Sequence, residues 1–172
     1  GLFEALVAAQ AIGFGAAGLL IFAIAGEEGL AGFLLVAAGS VVTTAVFLGI
    51  AALLSAGASA RRRGRALAIA VVIWFMSVVL FDVACLGVAS LLPSGPASRV
   101  LIVGVIVNPV DAVRTGVLLG VEGAAAFGAA SLAFLRFTKG SLGAGLILGL
   151  SIFAWVVVPA VLAVVRLRNS DL

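Results

Sequence analysis

The spacing of charge along this chain constrains its fold more than any other feature. No charged side chain occurs from residue 5 to 26, from 29 to 60 or from 140 to 165, and the stretch 66–98 holds a single acid, Asp82. Each interval meets or exceeds the roughly 20 apolar residues a helix needs to cross a hydrocarbon layer about 30 Å thick. In that layer the backbone has no water partner, so each crossing has to be a helix. Composition agrees. Of 172 residues, 65% are apolar and 10% charged, against roughly 45–50% and about 25% in a soluble domain. The polar surface is too small to cover the apolar mass in water. The same figures exclude a disordered chain, while 22 glycines without a three-residue period and one cysteine exclude a collagen-like fibre and a disulfide scaffold.

The reading that follows is an all-α integral membrane protein forming one transmembrane domain. Spans are expected near residues 5–26, 31–54, 67–92 and 141–165, with an outward, re-entrant helical region near 100–138. The apolar run 100–107 is too short to cross and stops at Asn108-Pro109. Residues 115–135 hold Glu122 among small residues and are bracketed by Arg114, Arg136 and Lys139, which favours helices that dip over a fifth crossing. Arg61, Arg62, Arg63 and Arg65 form the densest basic cluster, and Arg166 and Arg168 follow the last span. With four spans both groups share one face, and the positive-inside rule makes it cytoplasmic. The net charge of +3 therefore reads as orientation in a membrane, not as nucleic-acid binding. The sole methionine is Met76 and the N-terminus lacks a basic signal-peptide region, so the sequence is expected to be the C-terminal part of a longer protein.

Few residues are placed to carry chemistry. Asp82 lies inside the third span, where an acid costs roughly 2.5–3.5 kcal/mol and usually faces the protein interior or water. Arg99 and Arg114 are its possible basic partners. Cys85 shares a helix face with Asp82. Soft metals need several thiolate, thioether or imidazole ligands, and one Cys, one Met and no His exclude a metal site, so Cys85 stands with Asp82 as a candidate for the substrate pathway or coupling, or else is a small buried hydrophobe. In Asn108-Pro109-Val110-Asp111-Ala112-Val113-Arg114, Asn-Pro ends one element and Pro109 opens the next. Asp111 complements the new helix dipole and lies within reach of Arg114. Small residues recur at Gly116-Gly120-Ala124-Gly128 and at Ser141-Gly145-Gly149, a spacing that lets two neighbouring helices pack closely. No phosphate-binding Gly-x-x-x-x-Gly-Lys-Ser/Thr loop is present, and without histidine there is no triad or zinc-hydrolase motif. No catalytic residue and no metal site are expected.

Three stretches together resemble the NosY-type permeases of the ABC transporter that serves maturation of nitrous oxide reductase, a multi-copper enzyme. They are Arg-Gly-Arg-Ala-Leu-Ala-Ile-Ala-Val-Val-Ile-Trp-Phe at 63–75, Leu-Phe-Asp-Val-Ala-Cys-Leu-Gly at 80–87 and Asn-Pro-x-Asp-x-x-Arg at 108–114. The resemblance implies a six-span, exporter-type permease of which this chain supplies the last four spans. It also implies a second copy of the permease, a cytoplasmic ATPase subunit that binds the ATP, and a periplasmic copper-handling partner. Phe81, Asp82 and Leu86 match the third-span motif, and Asn108, Pro109, Asp111 and Arg114 match the outward motif. No cofactor is expected on this chain, and its location is expected to be the inner (cytoplasmic) membrane. Two rival readings stay open: a related ABC permease for a lipid or peptide, and a membrane anchor or scaffold that transports nothing.

Overall fold

The computed structural model describes residues 2–56, 60–122 and 134–170, and among these every regular element is helical. The loop 57–59, the side chains of Arg61, Arg62, Arg63 and Glu122, and the stretch 123–133 with Ala124 and Gly128 lie outside the described residues.

Helix α1 (Leu2–Ser55) is two arms joined at Gly26, whose backbone (φ 67°, ψ −157°) leaves the helical region. At about 1.5 Å per residue, a straight helix of that length would be more than twice as long as the hydrocarbon layer is thick. The chain instead folds back on itself. Gln10 Nε2 donates to Thr44 Oγ1 at 2.8 Å and to Ser40 Oγ at 3.3 Å, and the Phe14 and Phe33 rings meet edge to face at 5.9 Å. These pairings are those of an antiparallel hairpin. A Cβ at Gly26 would meet no atom within 4 Å, so glycine is required there by backbone conformation and not by space.

A second long rod follows. Helix α2 (Ala60–Phe75), a π-helical segment (Met76–Leu80) and α3 (Phe81–Ser90) run on without a gap. Its stretch Gly64–Ser90 is apolar enough to cross a membrane, as are α1 and the last helix, α6 (Ser141–Ser170). Between them lie α4 (Ser94–Val107) and α5 (Pro109–Glu122), which meet at an angle of 97°. Each has 14 residues, or roughly 21 Å, so neither crosses the layer alone. The apolar run at 100–107 is the last half of a helix that starts at Ser94. At Lys139 (φ 58°) and Gly140 (φ 119°) the chain turns into α6, with the Gly140 N–H bonded to Leu135 O and the Lys139 N–H to Arg136 O. This pair of bonds closes a Schellman turn.

The small core sits around the bent pair: Ile102 from α4, Ala112 from α5, Phe134, and Ala144 and Leu148 from α6. Most large apolar side chains instead point outward, among them Leu67, Val83 and Leu86 on the second rod. That distribution suits a lipid solvent, in which burial of apolar area drives little association.

Where helices do close on each other, glycine permits it. The second arm of α1 lies on α5 at Gly39, where a Cβ would stand 2.7 Å from Val117 Cγ2 and 3.1 Å from Val113 Cγ1. Gly120 of α5 meets Leu35 in the same seam, at 3.1 Å for a built Cβ. The expected packing of the two striped helices is present, since Ala112 of α5 shares a core with Ala144 and Leu148 of α6, but the described stripe glycines do not make that contact. A Cβ at Gly116, Gly145 or Gly149 would touch nothing within 4 Å, and α6 turns Ala144 and Leu148 inward instead. The four-residue spacing marks a face but not its partner; the larger apolar side chains decided which face is covered. Replacing Gly39 by leucine is expected to destabilise the folded protein by about 1–3 kcal/mol through overpacking. Gly13→Leu, at a site open to lipid, should leave it unchanged within about 0.5 kcal/mol. Unfolding midpoints of the two purified variants in detergent would check the pair.

Candidate functional site: a polar hub at the break between two short helices

Asn108 ends α4 and starts α5. Its N–H donates to Gly104 O at 2.9 Å, the last bond of α4, and its carbonyl accepts the Ala112 N–H at 2.9 Å, the first bond of α5. Its φ and ψ (−88°, 118°) are extended, and Pro109 supplies the preset φ of a first helical residue. The side chain caps the new helix, Oδ1 accepting the Val110 N–H at 3.2 Å.

This turn leaves carbonyls behind. In a continuous helix, Ile106 O and Val107 O would accept from Val110 and Asp111. Here Val110 is bonded to Asn108 instead, and α6 supplies the missing donors. Ser151 Oγ donates to Ile106 O at 2.6 Å and Trp155 Nε1 to Val107 O at 3.1 Å. An unpaired carbonyl in hydrocarbon would cost several kcal/mol, so these two donors fix the last helix to the break.

The other half of the Asn108 amide reaches the second rod. Nδ2 donates to Ser77 O at 2.7 Å and to Asp111 Oδ2 at 2.8 Å. Ser77 belongs to the π segment, in which the Phe81 N–H bonds Met76 O five residues back. Single π turns of this kind shift the register of a helix and are frequent at functional sites. Asp111 is paired through Oδ1 with Arg114 Nη2 at 2.7 Å, and the same nitrogen meets Asp82 Oδ2 at 3.0 Å. Of the two basic partners open to Asp82, the structure takes Arg114. Asn108 and Asp111 are almost wholly buried, at 2% and 3% exposure, whereas the Arg114 side chain is 55% exposed. Two carboxylates face one guanidinium, a formal excess of one negative charge at the rim of a buried amide.

Asp82, Asn108, Pro109, Asp111 and Arg114 thus converge on one place. Cys85 stands one turn from Asp82 and lies against α4, where a Cβ on Gly104 would come within 2.9 Å of its Sγ. Its surroundings are those of a packing residue. Among the described residues, no group of three His, Cys, Asp or Glu is placed to hold a metal. Of the basic loop, only Arg65 has a described side chain, and it is exposed. Sequence reasoning missed Ser151 and Trp155. The available signal was two hydrogen-bond donors four residues apart on an otherwise apolar span.

No protein-family model matches the chain, and no solved structure does. Over 133 residues it is 38% identical to a protein of Pseudomonas aeruginosa named as probable ABC transporter permease protein NosY. The match takes in 74% of this chain and 47% of that protein, so the chain spans about half the length of the relative. Long apolar helices and this sequence match agree, and over about three quarters of its length the chain is similar to a protein named as a NosY ABC transporter permease.

Proposed function

We propose that this chain is membrane-spanning permease machinery of an ABC transporter, and that the bent α4–α5 pair is its moving part on the outward side. The relationship to a permease named NosY carries the reading. The geometry supports it with a mechanical route. The rod Gly64–Ser90 has Arg65 at one end and Asp82 within roughly 12 Å of the other. A push on the basic end, where a cytoplasmic ATPase subunit would dock, moves Ser77 and Asp82, and through them Asn108 and Arg114. ATP is bound by that separate subunit, and this chain binds neither nucleotide nor copper. A second copy of the permease completes the pathway in the inner membrane. The finer role is maturation of nitrous oxide reductase, with a copper-handling protein on the periplasmic side.

Affinity purification of the full-length gene product from native membranes tests both levels. An ATPase with a P-loop should co-purify, and deletion of the gene should leave nitrous oxide reductase short of copper. No ATPase in the complex would remove the transporter reading in favour of a membrane anchor. An ATPase together with a fully loaded enzyme would point to another cargo, such as a lipid or peptide.

A further inference from the structure

A second polar place lies within the membrane, remote in sequence from the hub. Ser40, Thr43 and Thr44 occupy one face of the second arm of α1, roughly 16–27 Å from either end of that arm. They line an open cleft of about 550 Å³ together with Phe47, Ala70 and Trp74. Part of this polarity is accounted for within the protein. Thr43 and Thr44 donate to the carbonyls of Gly39 and Ser40, and the Gln10 amide bonds Ser40 and Thr44. Such bonds are ordinary adhesive between membrane helices.

Three features exceed that role. Among the described residues Thr43 bonds no other helix, although its side chain lines the cleft. Gln10 is not itself part of the cleft lining, but its amide bonds Ser40 and Thr44 and its Oε1 is buried without a donor among the described residues. The indole N–H of Trp74 has no acceptor among the described residues. Unsatisfied polar groups are costly in hydrocarbon, and the cleft is left with acceptor capacity at the Thr43 hydroxyl and donor capacity at the Trp74 indole that lipid tails cannot use. No charged side chain lines the cleft, so a bare ion would find no counter-charge. The aromatic walls suit a partly apolar body.

We propose that this cleft is an intramembrane binding site for a small, uncharged solute that both donates and accepts hydrogen bonds. The site is separate from the hub, and its test does not depend on an ATPase partner. Single cysteines at Thr43 and at Ser40 would be placed in the full-length gene product, with Cys85 and any other cysteine changed to alanine. Native membrane vesicles would be treated with neutral hydroxyethyl methanethiosulfonate and with its anionic sulfonatoethyl counterpart, each rate normalised to a free thiol. Val72→Cys, at nearly the same depth but 57% exposed on the outer face, is the lipid-facing control. Thiol reaction needs the thiolate and hence a polar surrounding, so both test positions should react at least ~10-fold faster than the control with the neutral reagent. The rate should saturate with reagent concentration, since binding precedes reaction. Rates equal to the control, or a linear dependence without saturation, would overturn the site. An anionic reagent as fast as the neutral one would overturn the assigned solute class.

Discussion

Asn108→Ala is expected to destabilise the folded protein by about 3–5 kcal/mol, an exceptional effect for one polar side chain. Three bonds vanish together. The N-cap to Val110 contributes about 1 kcal/mol. The bond to the Asp111 carboxylate contributes about 1.5–3 kcal/mol, as bonds to charged groups do. The bond to Ser77 O is an interhelical bond of the membrane kind, about 0.6–1.7 kcal/mol. Asn108→Ser separates these contributions. Serine is a good N-cap, so it should restore about 1 kcal/mol of the loss while both amide donations stay lost. Asn108→Asp keeps the cap but sets a carboxylate against Asp111, and should be at least as damaging as alanine. Unfolding midpoints of the purified variants in mixed micelles give the ranking. Equal midpoints for wild type and Asn108→Ala would show that the break between α4 and α5 holds itself.

How far the hub was legible from sequence follows from what each bond uses. Asn-Pro, with an acid three and an arginine six residues after the asparagine, is written in side chains, and the turn they make is local. Asp82 was legible as an anomaly, an acid where hydrocarbon is expected. The choice of Arg114 over Arg99 was not, because it depends on the 97° angle that swings α5 toward the third span. Ser77, Ser151 and Trp155 were hidden for a different reason. Ser77 takes part through its backbone carbonyl, and Ser151 and Trp155 serve the carbonyls of Ile106 and Val107. Every residue has a carbonyl, and only the broken helix decides which ones are left open. The cluster of Gln10 with Ser40 and Thr44 is hidden likewise, since the Gly26 turn sets which residues of the two arms face each other.

The second large effect is expected at Arg114, through charge and not shape. Among the described residues its Nη2 is the one cation bonded to both Asp111 and Asp82. Arg114→Gln takes the hub from a formal charge of −1 to −2 and leaves Asp111, 3% exposed, without its ion partner. With the guanidinium half-exposed and screened by solvent, losing it costs about 1–3 kcal/mol, mostly at the buried Asp111 carboxylate, so the yield of the assembled complex should fall. Asp82→Asn should do far less to yield, because the Asp111–Arg114 pair survives it and the charge becomes zero. The double variant Arg114→Gln with Asp82→Asn returns the hub to −1 and should recover part of the yield lost by Arg114→Gln alone. Because a single nitrogen makes both contacts, Arg114→Lys should also keep much of it. Yield and function then separate the two roles of the Asp82–Arg114 pair. If that pair couples the rod to the bent helices during transport, Asp82→Asn should assemble normally yet support little maturation of the copper enzyme. Normal assembly with normal maturation would leave the pair structurally dispensable and place the coupling in the bond from Asn108 to Ser77.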